Sequence, residues 1–281
     1  MRGKHQLRTV LDRLDGRVSQ GFGDFTAIKT ETPVNKDRTI DKEHSALNLY
    51  SQNESASLWC RYLVGDQFLP NGKRRGAPII SVPKGWPEPD IDDILEHVRN
   101  KRPSKFYVSN GEQVWFLNMP KASLSKEIWL GREQLLLNGC RAMPILSKLA
   151  YKIRRKKAKA KLLDDINHPS LVGLYVKGHF FSCCPRELKQ IKQFLWIDPE
   201  RDDMPVETLS CDYGSDAKTI ELKLLTKYLD YAQLSDGRWY PTRWQMTYEV
   251  HNRPDKYCLE FHLQLFADMK LDKSWFTDPN K

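Results

Sequence analysis

The chain has 281 residues, of which 40% are hydrophobic and 29% charged, and its formal net charge is +9. This composition is typical of a folded globular protein and excludes a disordered chain. No apolar run reaches the roughly 18 residues that a membrane-spanning helix needs, and the basic N-terminus lacks the continuous apolar segment of a secretory signal. The positive charge favours an anionic partner, such as lipid headgroups or nucleic acid.

The first predicted element is an amphipathic helix, because five apolar residues follow helical spacing: Leu7, Val10, Leu11, Leu14 and Val18. From Phe22 the pattern alternates instead, which predicts strands at FTAIKT, SALNLYS and SLWCRYLV. Residues 70–90 contain so much Pro and Gly that we expect a long surface loop or flap. The segment IDDILEHVRN then predicts a short amphipathic helix.

Asn110 and Gly111, within KFYVSNGEQVWFLN, predict a hairpin with a type I′ turn. EIWLGREQLLL is predicted to be a strand, and residues 144–163 a helix that carries the basic run KIRRKKAKAK. PRELKQIKQ is predicted to be a short helix with Leu188 and Ile191 on one side. Further strands are predicted at LVGLYVKGHFFS, QFLWID, PVETLSCDY, KTIELKLLTKYLDYAQ, RWYPTRWQMTYEV and KYCLEFHLQLFADM, which gives roughly a dozen strands in all.

The last two predicted strands alternate between apolar and polar residues. The apolar positions are Trp244, Met246, Tyr248 and Val250, then Tyr257, Leu259, Phe261, Leu263 and Leu265. The polar positions are Arg243, Gln245, Thr247 and Glu249, then Glu260, His262 and Gln264. A period of two predicts an antiparallel sheet with one dry and one wet side. Helices or a bound apolar ligand must cover the dry side.

Five segments resemble the LolA/LolB-like superfamily of periplasmic lipoprotein carriers, which includes RseB-type sensors. They are the opening helix leading into DFTAIKT, KFYVSNGEQVWFLNMP, FLWIDPERDDMPVETL, YLDYAQLSDGRWYPTRW and DMKLDKSWFTDPNK, in consistent order from about residue 5 to residue 279. The resemblance implies an α+β fold over a single domain, residues 1–281: a strongly curved antiparallel half-barrel whose concave face is covered by helices. Two segments, 70–90 and the basic helical insertion at 144–163, exceed the family pattern.

The apolar side of such a sheet is a candidate cavity for acyl chains. The residues predicted to line it are Trp115, Trp239, Trp244, Met246, Tyr248, Phe261 and Leu263. The alternative is that these side chains only pack a core, because a sheet of this kind needs packing even when it binds nothing. The pattern leaves both interpretations open.

The basic run is the second candidate site, for an anionic partner. Its cations are Lys152, Arg154, Arg155, Lys156, Lys157, Lys159 and Lys161. A solvated surface is the alternative, because charge runs are common on protein surfaces. A membrane surface is a possible partner. Nucleic acid is disfavoured, because the alternation turns Trp244 and Tyr248 inward and leaves few rings for base stacking.

No pattern predicts catalysis, a cofactor or a metal. The chain lacks GxSxG, Walker, HExxH and GxGxxG motifs in a suitable context. His179, Cys183, Cys184 and Cys211 are disfavoured as metal ligands, since adjacent cysteines in a strand point to opposite faces. Most of the six cysteines are expected to be buried as small apolar residues.

We therefore predict a non-enzymatic monomer that binds a lipid or acylated protein in its hollow, as a lipoprotein carrier or sensor. The resemblance implies the periplasm or cell envelope. Two alternatives stay open: a protein-interaction scaffold with a filled core, and a binder of anionic surfaces or nucleic acid through residues 152–161.

Overall fold

The computed structural model describes residues 6–13, 24–35, 37–53, 55–65, 78–117, 158–163, 169–181, 188–214, 216, 218–253 and 256–279. The chain forms two compact units. Unit 1 comprises Met1–Gln20 and Leu136–Cys258, and unit 2 comprises Gly21–Leu135 and Leu259–Lys281.

Unit 2 contains most of the described N-terminal half. Its strands are β1 (Phe25–Val34), β2 (Ala46–Asn53), β3 (Ala56–Val64), β4 (Ile79–Ile80), β5 (Lys105–Ser109), β6 (Val114–Leu117) and β13 (Tyr257–Ala267), of which β13 begins at the end of unit 1. The hydrogen-bonded order is β6-β5-β3-β2-β1-β13. The pairs from β1 to β6 are antiparallel, and β4 pairs in parallel with β3. Short 3-10 turns span Lys42–His44 and Lys273–Phe276.

The described residues of unit 1 form a helix over residues 6–13, which we call α1, and six strands. The strands are β7 (Ala158–Leu163), β8 (Val172–Phe181), β9 (Leu188–Asp198), β10 (Met204–Tyr213), β11 (Ile220–Gln233) and β12 (Trp239–Val250). They lie in the order β12-β11-β10-β9-β8-β7, and every pair is antiparallel. A 3-10 turn, Pro199–Arg201, joins β9 to β10.

Helix α2 (Ile91–Val98) covers one face of the unit 2 sheet. Asp90 caps it by accepting a hydrogen bond from the backbone N–H of Asp92, which satisfies one of the free donors of the first turn. Ile94 and Val98 lie one turn apart and are buried. They pack in one apolar cluster with strand residues of the sheet, including Leu49, Leu58, Phe106 and Val108, and with Trp86 and Phe276.

Helix α1 is attached to unit 1 by apolar burial and by one ion pair. Val10 and Leu11 are buried. Arg13 donates from Nε and Nη2 to the two oxygens of Asp203 at 3.0 and 2.9 Å. This two-point contact is the strongest geometry for an arginine with a carboxylate, and it fixes the end of α1 beside the start of β10.

The predicted α+β class and the antiparallel sheet expected of a half-barrel are confirmed. The strands predicted from periodicity are present in the described residues, and so is the helix predicted at IDDILEHVRN. The opening helix is present over residues 6–13. Residues 78–90 of the predicted loop contain only the two-residue strand β4 and turns. EIWLGREQLLL, residues 66–77 and residues 144–157 lie outside the described residues.

The hairpin at Asn110 and Gly111 is confirmed, but its turn type was wrong. Type I′ geometry needs a positive φ at both residues, and of the two only Gly111 has one, at 92°. The Asn110 N–H donates to the carbonyl of Gln113 at 3.3 Å. The turn is therefore centred one residue later, on Gly111 and Glu112.

Two helix predictions were wrong. Residues 158–163, the end of the predicted basic helix, form β7, because Ala160 and Leu162 lie opposite buried Val176 and Leu174 of β8. This pairing outweighs the high helix propensity of Ala and Lys. The predicted helix PRELKQIKQ is strand from Leu188 onward. Ile191 continues the buried period of two that runs to Leu195 and Ile197.

Candidate ligand-binding site

The aromatic face predicted on β12 exists and is buried. Trp244 and Met246 are each 1% exposed, and Tyr248 is half-buried. Opposite them on β11 lie Tyr228 and Thr226, and the Tyr228 and Trp244 ring centroids are 6.1 Å apart. The structure thus brings Trp244, Met246 and Tyr248 onto one face.

Polar side chains interrupt this buried face of unit 1. Cross-strand pairing arranges the side chains of this face in two rows that run from β12 to β8. The first row is Met246, Thr226, Thr208, Leu195 and Leu174. The second row is Tyr248, Leu224, Ser210, Gln193 and Val176. Thr226, Thr208, Ser210 and Gln193 are at most 3% exposed. The Thr208 hydroxyl has no hydrogen-bond partner within the described part of the chain. An apolar wall that carries buried hydroxyl and amide groups suits a ligand with both apolar and polar parts.

Trp239 lies in a different environment from Trp244. The pairing of β11 with β12 is irregular between the two residues, at Asp230, so the period of two does not continue from Trp244 to Trp239. Its ring centroid is 5.9 Å from the Arg201 guanidinium, which also lies 5.0 Å from the Tyr231 ring. Its backbone N–H donates to Asp202 Oδ2 at 3.1 Å. Trp239 therefore contacts the turn between β9 and β10.

In unit 2, Phe261 and Leu263 of β13 are buried as predicted, with exposures of 1% and 2%. The Phe261 ring centroid lies 5.9 Å from Nζ of Lys29. Trp115 lies on β6, where it pairs with Val108 of β5 and packs against the apolar cluster that includes the buried residues of α2. The strand register places Trp115 on the opposite face of the sheet from Lys29.

Lys29 is the centre of a buried charged face. It is 1% exposed, and its Nζ lies 5.6 Å from the Tyr50 ring centroid and 3.7 Å from Glu31 Oε1. Arg61 Nη1 donates to Glu31 Oε2 at 2.7 Å, and Asn48 Nδ2 donates to Oε1 at 3.2 Å. The register explains the cluster, because Lys29, Asn48 and Arg61 are direct cross-strand neighbours on β1, β2 and β3.

The charge of Glu31 is stabilised by its neighbours. Burial raises the pKa of this carboxyl, but the positive charges of Arg61 and Lys29 and the hydrogen bonds from Arg61 and Asn48 together lower it below its usual value. Glu31 is therefore ionised at neutral pH. Lys29 is thus a buried cation in contact with the rings of Tyr50 and Phe261.

A second polar group lies on β13, where the sequence pattern predicted a wet side. That prediction was wrong, because Glu260 and His262 are 9% and 7% exposed. His262 Nδ1 lies 2.6 Å from Glu88 Oε1, and its Nε2 lies 2.8 Å from Glu260 Oε1. Ionised carboxylates only accept hydrogen bonds. Both contacts form together only when the imidazole is doubly protonated or one carboxyl holds a proton.

Two of the seven predicted anion-binding cations lie in the described chain. Lys159 and Lys161 are exposed on β7, and the Lys161 Nζ is 5.3 Å from the Tyr175 ring centroid. The other five are Lys152, Arg154, Arg155, Lys156 and Lys157, and they lie outside the described residues.

The described cysteines are free thiols. Cys60 and Cys211 are buried, and Cys258 is half-buried. Burial raises the pKa of Cys60 to about 12. The described residues contain no cluster of three or more His, Cys, Asp or Glu side chains that could hold a metal ion. The side chain of His179, and Cys183 and Cys184, lie outside the described residues.

The sequence interpretation missed Lys29, Glu31 and Arg61, and it placed Glu260 and His262 in solvent. One signal was available: FTAIKTETPV puts Lys29 at an alternate position with Phe25 and Ala27, which is unusual for a strand in an apolar context. The partners on β2 and β3 depend on register, which a single sequence does not give.

No protein-family model matches the chain, and no curated protein matches it. Among solved structures, it is similar to a LolA superfamily protein from Nitrosomonas europaea, with 10% identity, a TM-score of 0.43 and coverage of 97% of this chain and 98% of that chain. It is also similar to a putative outer membrane lipoprotein-sorting protein domain from Vibrio parahaemolyticus, with 12% identity, a TM-score of 0.44 and coverage of 96% and 95%. Both are structures of the kind to which the sequence resemblance pointed. Their TM-scores are below 0.5, so neither similarity assigns a function to this chain.

Within the described residues, no helix combines the length and the apolar character that crossing a membrane requires.

Proposed function

We propose that the protein binds a lipid or the acyl group of a modified protein without catalysing a reaction, as a lipoprotein carrier or sensor of the periplasm or cell envelope. The observation that carries the proposal is Lys29, a cation that is 1% exposed and whose Nζ lies 5.6 Å from the Tyr50 ring centroid and 5.9 Å from the Phe261 ring centroid. An amphiphile has the same combination of chemical groups, an apolar chain and an anionic head.

The apolar chain would gain most of its affinity from burial, at about 0.8 kcal/mol for each CH2 group removed from water. Phe261 and Leu263, buried apolar side chains of β13 in the same unit as Lys29, are the residues that we expect the chain to contact.

The anionic head would pair with Lys29. Glu31 already lies 3.7 Å from its amine, but Glu31 makes a shorter contact, 2.7 Å, with Arg61. A ligand carboxylate at Lys29 would therefore leave the Glu31–Arg61 pair intact. A charge-assisted hydrogen bond of this kind contributes about 1.5–3 kcal/mol.

The test is a fluorescence titration of delipidated protein with cis-parinaric acid and with its methyl ester. We expect saturable binding of the acid. Lys29→Met should weaken binding of the acid by about tenfold or more, because it removes the charge-assisted contact, and should leave binding of the ester nearly unchanged. Lys84→Met, at an exposed lysine of unit 2, is the matched control.

Absence of saturation would refute the proposal. Saturation with equal affinity for wild type and Lys29→Met would retain lipid binding but remove Lys29 as the anchor. Native mass spectrometry that finds no lipid but a stable protein partner would instead support the interaction scaffold. The single domain predicted over residues 1–281 stays a prediction.

A further inference from the structure

A row of lysines crosses the sheet of unit 1 on the face opposite Trp244 and Met246. Cross-strand pairing makes Lys159 the neighbour of Lys177, and Lys177 the neighbour of Lys192. The row continues through Cys211 to Lys223 and ends at Glu249. We call Lys159, Lys177, Lys192 and Lys223 the lysine row.

This arrangement is unfavourable for the folded chain alone. Like charges directly opposite each other on neighbouring strands destabilise a sheet, and the row places three such lysines side by side. Within the described residues, Lys159 and Lys177 have no carboxylate partner. Lys223 has one, Glu249, at 3.6 Å, but Glu249 also contacts Lys256 at 2.8 Å. The repulsion is therefore largely uncompensated within the described fold.

Aromatic rings lie beside the row on the same face. The next row along the strands contains Lys161, Tyr175 and Phe194, and Trp196 follows on β9. The three rings are half-buried. They contact one another, with centroids 5.1 Å apart for Tyr175 and Phe194 and 6.4 Å apart for Phe194 and Trp196. Lys192 Nζ lies 4.2 Å from the Tyr213 ring centroid.

The length of the lysine row indicates an extended docking surface and not a binding site for one small ion. Neighbouring strands lie about 4.8 Å apart, so the row from β7 to β11 extends over about 19 Å. Lysine side chains lay their apolar stems along such a face and extend their amines into solvent. The result is an array of positive charge bordered by aromatic rings.

We propose that the lysine row and its adjoining rings dock on the surface of an anionic lipid bilayer. Each basic residue close to such a surface contributes about 1 kcal/mol, and Trp and Tyr are the residues that favour the headgroup level. The proposal goes beyond binding of a lipid in the protein and does not require it.

Single-stranded nucleic acid fits the face less well. Its non-specific binding relies on a charged groove and on rings that are free to stack with bases. Here the Tyr175, Phe194 and Trp196 rings already pack against each other. The charges are lysine amines, which act as point charges and lack the planar fork of arginine.

The test is co-sedimentation of the full chain with two kinds of vesicle at low salt. One is an equimolar mixture of phosphatidylglycerol and phosphatidylcholine, and the other is phosphatidylcholine alone. We expect binding to the mixture, weak binding to phosphatidylcholine, and release at high salt because screening shortens the electrostatic range. The double variant Lys159→Gln/Lys177→Gln should bind the mixture about 25-fold less tightly, which is about fivefold for each charge removed.

The matched control removes two exposed lysines of unit 2, Lys101→Gln/Lys105→Gln, and should keep the wild-type affinity. An equal loss of vesicle affinity in the control variant would show that binding depends on net charge alone. It would refute the lysine row as the docking surface. Equal binding to both vesicles, or tight binding to a single-stranded oligothymidylate without binding to vesicles, would overturn the bilayer proposal.

Thermal unfolding shows whether a loss of vesicle binding comes from the docking surface itself or from a destabilised fold. Because Lys159→Gln/Lys177→Gln removes cross-strand repulsion, its thermal midpoint should equal or exceed that of the wild type. Loss of vesicle binding together with a lowered midpoint would count against the proposal.

Discussion

Glu31 in unit 2 and Glu249 in unit 1 occupy the same chemical position, since each carboxylate lies between two cations. Glu31 contacts Arg61 and Lys29, and Glu249 contacts Lys256 and Lys223. The two sites differ in solvation: the side chain of Glu31 is 15% exposed and that of Glu249 is 35% exposed, beside lysines that are 66% and 42% exposed.

This difference in solvation decides whether the charged side chains stabilise the fold or remain available to a partner. In unit 2 the cations and carboxylate are largely removed from water, so their mutual contacts are required for stability. In unit 1 water and salt screen the same contacts, so the lysines keep most of their charge available to a partner. The Glu31 cluster of unit 2 therefore encloses its charges, and the Glu249 cluster of unit 1 displays them.

The largest expected contrast is between two cysteines. The pKa of Cys60 is raised to about 12 by burial, so at neutral pH it is a thiol and not the reactive thiolate. Cys258 is half-buried. We expect iodoacetamide to modify Cys258 in the native protein and Cys60 only after unfolding, as measured by peptide mass spectrometry. Equal labelling rates would show that unit 2 does not enclose Cys60.

The next contrast is in the free energy of unfolding. Glu31→Gln leaves Lys29 and Arg61 facing each other without the carboxylate, and it should cost about 3 kcal/mol. Glu249→Gln, the matched change in unit 1, should cost less than about 1 kcal/mol. Urea unfolding of both variants measures the difference. Equal costs would remove the contrast between enclosed and displayed charge.

Acid should abolish the effect of Glu31→Gln. The pKa of Glu31 is lower in the folded chain than its ordinary value of 4.5, so its contribution is complete above that value and is lost as pH falls through the folded pKa. We expect the stability gap between wild type and Glu31→Gln to be constant near neutral pH and to narrow in acid. A gap that widens in acid would contradict the assigned direction.

The fold was more predictable in some segments than in others for a physical reason. The strands β8 to β12 alternate because one side is buried and the other is not, and periodicity reports that difference directly. β1 and β13 are covered on both faces, so polar residues in these two strands do not mark a solvent-exposed face. β7 was missed because Ala and Lys favour helix locally, whereas its pairing with β8 decides its structure.

The candidate site was predictable only where it depended on one strand. Trp244, Met246 and Tyr248 share a face by period alone. The cluster of Lys29, Asn48 and Arg61 and the lysine row both arise from side chains that meet across strands. Their positions require the register, which depends on the whole sheet.

The smallest expected effect tests whether β1 is enclosed on its second face. Thr30 is 1% exposed, and its hydroxyl donates to the carbonyl of Pro87 at 2.8 Å. Thr30→Val keeps the branched shape but removes the donor, so it should cost about 1 kcal/mol in urea unfolding. Thr247→Val is the control in unit 1, because the contact that its hydroxyl makes with the described residues is long, 3.9 Å to Cys258 Sγ. It should change the stability by less than about 0.5 kcal/mol. If the two variants lose equal stability, the hydrogen bond from β1 to the segment before α2 does not distinguish unit 2 from unit 1.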